Sequence, residues 1–144
     1  MIRDVDDLYR GIILEHCKRP RNFRVPQRAN RRACGENPLC GDHIDVYVCL
    51  ERGVIRDIGF AGVSCAVARA SASLMTEAVM GRDAAGGRTL LRKFEQMVGT
   101  SGIDPDPELG ELHAFADVRA FPSRIQCALL PWDALSSVLL ESPG

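Results

Sequence analysis

The chain has 144 residues, 46% of them hydrophobic, and a formal net charge of −1, which fits a single domain over residues 1–144 and gives no electrostatic case for nucleic acid. No apolar run approaches the roughly 20 residues that span a bilayer, and the N-terminus lacks the pattern of a signal peptide. We therefore expect a cytoplasmic protein without membrane contact, whose six cysteines serve as metal ligands or reactive thiols more than as disulfides.

The first half of the sequence predicts a helix, a long loop and an antiparallel hairpin. Apolar residues recur at helical spacing over residues 4–18. Residues 19–41 are rich in Arg, Pro and Asn and show little periodicity, which indicates a long loop. Alternating apolar residues over 44–50 and again over 54–60 predict two strands joined by a tight turn.

The second half of the sequence predicts mainly helices. A helix from about Cys65 to Met80 is rich in Ala and Ser, which lets another element approach it closely. The remaining elements are a linker containing Gly86 and Gly87, a helix over 90–98, a loop over 100–107, a short helix around 109–115, and a last helix starting near Pro122. A helix followed by antiparallel strands and several helices indicates the α+β class.

Three cysteines and one aspartate at predicted element ends are the candidate metal ligands: Cys40, Asp42, Cys65 and Cys127. Thiolates select zinc, cuprous copper or iron–sulfur clusters, and a carboxylate completes a four-ligand set. Gly41 allows a tight turn beside the first two ligands, and Cys65 falls in the first helical turn, where partial positive charge favours a thiolate. No Cys-x-x-Cys pair occurs among them, so each cysteine could instead be a small buried hydrophobe.

Several short motifs occur in order between Leu8 and Leu135. They are Leu8-Tyr9, His16 with Pro20-Arg21-Asn22, Asn37-Pro38 before Cys40-Gly41-Asp42, Cys65 followed by Ala70-Ser71-Ala72-Ser73, and Arg124-Ile125-Gln126-Cys127. Together they resemble the U-type iron–sulfur cluster assembly proteins, a family that includes IscU, SufU and the N-terminal part of NifU. The resemblance implies an IscU-like fold, in which a small antiparallel sheet of about three strands is packed by helices and the cysteines converge at one end.

Two features favour the SufU branch of this family. Scaffold-type IscU proteins carry a histidine before the last cysteine, where this chain has Gln126. SufU-type proteins have an insertion between the second and third cysteines, and this chain has an extra stretch around 99–110. The chain departs from SufU proteins in two places, since they usually have lysine at the position of Gln126 and lack a proline corresponding to Pro131.

The SufU resemblance implies a zinc site built from Cys40, Asp42, Cys65 and Cys127. It also implies a sulfurtransferase-like activity, in which Cys40 accepts persulfide sulfur from a SufS-type cysteine desulfurase and serves the downstream SUF assembly machinery. The alternative is a scaffold, which is not an enzyme, on which the three cysteines hold a transient [2Fe–2S] cluster and therefore iron. A third hypothesis is a metal-stabilised module that only binds partners.

The other cysteines and histidines have weaker functional signals. Cys34 is either a second thiol that relays sulfur or an exposed cysteine, while Cys17 and Cys49 are expected to be structural. Strand alternation turns His43 away from the face of Asp42. A basic cluster is either a solvated surface or a docking surface for an acidic partner such as the desulfurase: Lys18, Arg19, Arg21, Arg24, Arg28, Arg31 and Arg32.

Overall fold

The computed structural model describes residues 2–38, 41–99 and 107–140. The elements in chain order are α1 (Ile2–Lys18), β1 (Arg31–Asn37), β2 (Asp42–Glu51), β3 (Val54–Val63), α2 (Ala66–Val79), α3 (Ala84–Gly99), a 3₁₀ segment (Pro107–Ala120) and α4 (Pro122–Leu140). The strands form one antiparallel sheet in the order β1-β2-β3. The predicted α+β class and the small three-stranded antiparallel sheet are confirmed.

The predicted hairpin is present as β2 and β3, with β3 longer than expected. Its last residues pair with the start of β2, where Gly62 lies opposite Ile44. Gly62 has φ 122°, and a Cβ at this position would collide with the carbonyl oxygen of His43. Glycine therefore lets the end of β3 lie against the start of β2, which brings the beginning of α2 close to Asp42.

The prediction of one loop over 19–41 was wrong for its second half, which forms β1. This strand has Arg, Cys, Gly, Glu and Asn instead of β-branched residues, so it carries little propensity signal. A contact with α4 explains the glycine in this strand, because a Cβ at Gly35 would lie 2.8 Å from the carbonyl oxygen of Leu130. The close approach of α4 thus requires glycine at a position where glycine itself weakens the strand pattern.

The predicted linker at Gly86 and Gly87 was also wrong, because α3 already begins at Ala84. Asp83 caps the helix, since its Oδ1 accepts a hydrogen bond from the N–H of Gly86 at 2.6 Å. Gly87 is buried, and a Cβ there would lie 3.1 Å from Leu139 and 3.2 Å from Ile55. The absence of a side chain at Gly87 therefore allows α3 to pack closely against Leu139 and Ile55. The predicted loop over 100–107 lies outside the described residues except for Pro107, which begins the 3₁₀ segment.

Helices α2 and α4 pack together through small residues and a buried polar link. The Ser71 hydroxyl donates to the carbonyl oxygen of Ala128 at 2.6 Å and accepts from the indole N–H of Trp132 at 3.1 Å. Trp132 also stacks on Phe94, with ring centroids 4.6 Å apart. These contacts fix the middle of α4 against α2 and confirm that the Ala- and Ser-rich helix receives a close neighbour.

Among the residues that the structure describes, no helix is long and apolar enough to cross a membrane.

Candidate metal centre

Asp42, the first residue of β2, presents a buried carboxylate at the end of the sheet. The preceding Gly41 has φ 72° and donates its N–H to the carbonyl oxygen of Asn37 at 2.9 Å, so the chain turns sharply between β1 and β2. The Oδ1 atom of Asp42 accepts a hydrogen bond from the backbone N–H of Cys65 at 3.0 Å. This bond holds one carboxylate oxygen and leaves Oδ2 available to a metal ion.

Cys65 follows the end of β3 and is the N-cap residue of α2, one position before the predicted first turn. Its Sγ accepts a hydrogen bond from the backbone N–H of Ala68 at 3.4 Å. The N-terminus of a helix carries partial positive charge, so it stabilises negative charge on this sulfur. The side chain is half-buried, which leaves one side of the sulfur open.

Cys127 lies in the second turn of α4. Its Sγ lies 3.9 Å from Oδ2 of Asp42, across 85 positions in the chain. The neighbouring Ala128 is the residue whose carbonyl oxygen bonds to Ser71. The packing of α4 on α2 therefore places this third donor.

The structure brings three of the four predicted ligands together. Ligand atoms of Asp42, Cys65 and Cys127 all lie within 4.8 Å of one another. Atoms that share one tetrahedral zinc ion at bond lengths of about 2.0–2.3 Å lie roughly 3.3–3.8 Å apart, so small side-chain movements would suffice. Two sulfurs and one carboxylate oxygen are the donor types that zinc or an iron–sulfur cluster accepts. Cys40, the fourth predicted ligand, lies outside the described residues.

A cavity of about 660 Å³ opens beside the two cysteines. Its wall includes Asn37, Arg124 and Gln126 in addition to Cys65 and Cys127. Solvent or a partner segment of moderate size can thus reach both sulfur atoms. Asn37, which is buried and closes the turn before Asp42, was not singled out from the sequence, although its place in the Asn37-Pro38 motif was a signal.

His43 and Cys49 both belong to β2. Only Cys49 departs from the burial that simple strand alternation predicts. His43 lies on the face opposite Asp42, as predicted. Cys49 is only 4% exposed although alternation places it with the outward residues. Its sulfur lies 3.7 Å from Oε1 of Glu51 on that face, where Arg28 of the loop before β1 lines the same pocket. Both Cys49 and the half-buried Cys17 stay outside the candidate centre.

Some arginines of the basic cluster pair with carboxylates of the same chain. Arg19 and Arg21 pair with Glu15 at 3.2 and 3.6 Å, and Arg24 pairs with Asp57 at 2.8 Å. The cluster keeps a net positive charge, so the docking surface for an acidic partner and the solvated surface both stay predictions.

A grouping of metal-ligand residues that was not predicted from the sequence lies away from the candidate centre. Cys34, Glu36 and His43 come together on the outer face of the sheet. The grouping was missed because 31–37 had been interpreted as loop. An alternating pattern in that segment, paired with β2, would have placed all three side chains on one face.

The chain is similar to a known protein family and to known proteins. Residues 8–128 match the family model described as NifU-like N terminal domain. The chain is 35% identical to the zinc-dependent sulfurtransferase SufU of Bacillus subtilis (strain 168) over 141 residues, which cover 98% of this chain and 95% of that protein. It is also 35% identical over 138 residues to the iron–sulfur cluster assembly scaffold protein IscU of Streptococcus pyogenes serotype M1, with 96% and 86% covered.

A solved structure supports the same assignment at the level of the fold. The N-terminal part of a nitrogen-fixing NifU-like protein from Brucella abortus superposes with a TM-score of 0.83 and 27% sequence identity, over 94% of each chain. The family predicted from the sequence motifs is thereby confirmed. The chain belongs to the NifU-like N-terminal domain family.

Proposed function

We propose that this chain is a zinc-dependent sulfur acceptor in iron–sulfur cluster assembly, which takes sulfur from the persulfide of a cysteine desulfurase through Cys40. The observation that carries the proposal is the convergence of Asp42, Cys65 and Cys127 within 4.8 Å. Similarity to a relative named as a zinc-dependent sulfurtransferase supports both the metal and the activity.

Four side chains would hold the zinc ion: Cys40, Asp42, Cys65 and Cys127. The covalent chain ties Cys40 two residues from Asp42, next to the sharp turn at Gly41. Bound zinc supplies thiolate character to its cysteine ligands near neutral pH and has no redox activity of its own. The ligands also come from β2, α2 and α4, so the same site would join three elements of the fold.

The proposed transfer requires no oxidant or reductant. The thiolate of Cys40 attacks the outer sulfur of the desulfurase persulfide, a new S–S bond forms at Cys40, and the partner's S–S bond breaks. The partner cysteine leaves as a thiolate, and Cys40 carries the persulfide. The cavity beside Cys65 and Cys127 gives the partner's segment access, and the guanidinium of Arg124 in its wall favours an approaching anionic persulfide.

The direct test is sulfide release by a SufS-type cysteine desulfurase with the wild-type chain and with Cys40→Ala. We expect stimulation by the wild type and none by Cys40→Ala, since that variant has no acceptor thiol. Cys17→Ala is the matched control, because Cys17 is a half-buried thiol at the end of α1, outside the candidate centre. Stimulation that survives in Cys40→Ala would remove Cys40 from the acceptor role.

A scaffold function is the second candidate, favoured by the similarity to the IscU scaffold protein of Streptococcus pyogenes. The same three cysteines could hold a [2Fe–2S] cluster as cargo, with Asp42 as a weaker oxygen ligand that permits release. Metal analysis and the absorption spectrum of aerobically purified protein separate the two candidates. Colourless protein that contains zinc and no iron supports the acceptor, whereas a brown protein that passes its cluster to an apo-target supports the scaffold.

A partner-binding module without either activity is the third candidate. It would be left if neither desulfurase stimulation nor cluster transfer occurs. Within the first candidate, the SufS-type desulfurase is the immediate partner and the downstream SUF assembly machinery receives the sulfur. A cytoplasmic location stays a prediction from the sequence.

A further inference from the structure

The outer face of the sheet carries a second group of metal-ligand side chains. In the register of β1 and β2, Cys34 lies opposite Asp45 and Glu36 lies opposite His43. Because side chains alternate along a strand, these four share one face, and Asp42 belongs to the other face. Cys34 and Glu36 are exposed, and the side chain of His43 is 40% exposed. A dissolved metal ion can therefore reach them directly.

Three of these side chains have the spacing of ligands that share one ion. The Sγ of Cys34 lies 3.4 Å from Nδ1 of His43, and Oε1 of Glu36 lies 3.2 Å from the same nitrogen. The third separation, from Sγ of Cys34 to Oε1 of Glu36, is 3.9 Å. Tetrahedral zinc with bonds of about 2.0–2.3 Å places its ligand atoms roughly 3.3–3.8 Å apart. A rotation of the exposed imidazole would direct the lone pair of its nitrogen at such an ion.

The histidine also has the supporting contact that metal-bound histidines commonly have. Its Nε2 lies 3.2 Å from Oδ2 of Asp45, and Oδ1 of Asp45 accepts a hydrogen bond from Arg32 at 3.3 Å. A ligand imidazole usually donates its second N–H to a carboxylate, which fixes the tautomer and orients the ring. Asp45, itself held by Arg32, is placed to do this for His43 while Nδ1 lies beside Glu36. The sulfur of Cys34 lies over the ring, 3.4 Å from Nδ1 and 3.5 Å from Nε2.

We propose that Cys34, Glu36 and His43 form a second Zn²⁺ site, separate from the candidate metal centre. One thiolate, one imidazole and one carboxylate select zinc over magnesium or calcium. With three protein ligands, the fourth position is open to water or to a ligand from outside, which is typical of zinc sites that exchange or react. The site does not depend on the proposed function, since none of its residues belongs to the candidate metal centre.

The test is the number of Zn²⁺ ions that the full chain binds in equilibrium dialysis, compared among three proteins. Cys34→Ala should bind one zinc fewer than the wild type, however many the rest of the chain holds. Cys49→Ala is the matched control, because its sulfur also lies near a carboxylate of β2, Glu51 at 3.7 Å, but belongs to no grouping of metal-ligand side chains among the described residues. It should bind as many zinc ions as the wild type.

A third variant tests the supporting contact. Asp45→Asn should keep the second zinc but weaken its binding by about 10–100-fold, as loss of a supporting partner of a metal-bound histidine does. Equal zinc counts in the wild type and Cys34→Ala would overturn the proposal. Should Cys34→Ala fail to fold, as judged by circular dichroism, Glu36→Gln at an exposed position provides the same comparison. A failure of the candidate metal centre would lower the count equally in every protein and is thus distinguishable.

Discussion

Asp42 combines two tasks at the level of a single residue. Its Oδ1 accepts the N–H of Cys65, which orders the start of α2, while Oδ2 faces the sulfur of Cys127. The first task needs only a hydrogen-bond acceptor, whereas zinc binding benefits from the negative charge. A substitution that keeps the acceptor and removes the charge separates the two tasks.

Asp42→Asn should therefore preserve the fold and weaken zinc binding. We expect an affinity loss of at least about tenfold, since even loss of a partner outside the ligand set costs that much. Zinc competition with a chromogenic chelator measures the change. Asp57→Asn is the control, because Asp57 pairs with Arg24 on the surface at 2.8 Å. Equal affinities in the two variants would remove Asp42 from the ligand set.

His16 provides a second prediction at the residue scale. The buried ring contacts Ser73 Oγ through Nδ1 at 2.7 Å. Burial, and then Arg21, lower the pKa of His16, against the opposite effects of Glu77, Glu111 and Glu15. The unfolded chain, with a histidine pKa of about 6.5, then binds a proton more readily than the folded chain. Stability is therefore retained above about pH 6.5 and lost as the pH falls toward the folded-state pKa.

The measurement is the free energy of unfolding in urea across that pH range, for the wild type and His16→Asn. The asparagine amide can replace the Nδ1 contact but does not titrate. We expect the wild type to lose more stability on acidification than the variant. Parallel pH curves would show that His16 does not carry the effect.

At the scale of elements, the link between α2 and α4 places Cys127 beside Cys65. Ser71 is fully buried and connects both the carbonyl oxygen of Ala128 and the indole of Trp132. Ser71→Ala should destabilise the protein by about 1–3 kcal/mol, because buried polar groups lose their partner. It should also weaken zinc binding, because Cys127 loses its fixed position.

The control for this variant is a serine of α4. Ser137 is exposed and its hydroxyl reaches only the carbonyl oxygen of Asp133 at 3.4 Å, so Ser137→Ala should change stability by less than about 0.5 kcal/mol. Urea unfolding compares the two. A Ser71→Ala protein as stable as Ser137→Ala would show that the link does not hold the helices together.

Strands and helices with a strong hydrophobic periodicity of their own were predictable from the sequence. Those that depend on contacts with distant elements were not. The alternation in β2 and β3 and the helical spacing in α1 and α4 gave correct assignments. In contrast, β1 and the first turn of α3 contain glycines that are present because another element approaches closely. In a single sequence, such a glycine indicates the end of a strand or helix, because the residue that packs against it is far away in the chain.

The candidate site was more predictable than the fold around it. Its residues have soft-ligand chemistry, and the family motifs name them directly. The residues alone did not predict that the ligands come together in space. Asp42 and Cys127 meet only because α4 packs on the sheet and on α2. The group around Cys34 was not predictable without β1, whose pairing with β2 brings Glu36 opposite His43.

At the scale of the whole molecule, the proposed zinc joins elements that are distant in the chain. Structural zinc contributes roughly 10–16 kcal/mol in small peptides, which is comparable to the 5–15 kcal/mol stability of a typical domain. Complete chelation should therefore lower the melting temperature markedly, and added zinc should restore it. Scanning calorimetry with and without a strong chelator measures this. An unchanged melting curve would mean that the fold does not depend on the ion.

The most direct measurement is zinc-edge X-ray absorption on Cys34→Ala protein loaded with one equivalent of Zn²⁺. This background removes a ligand of the second proposed site, so the ion reports on the candidate metal centre. We predict about three sulfur neighbours at roughly 2.3 Å and one oxygen at about 2.0–2.2 Å, from Cys40, Cys65, Cys127 and Asp42. A first shell of nitrogen and oxygen atoms alone would contradict the proposed centre.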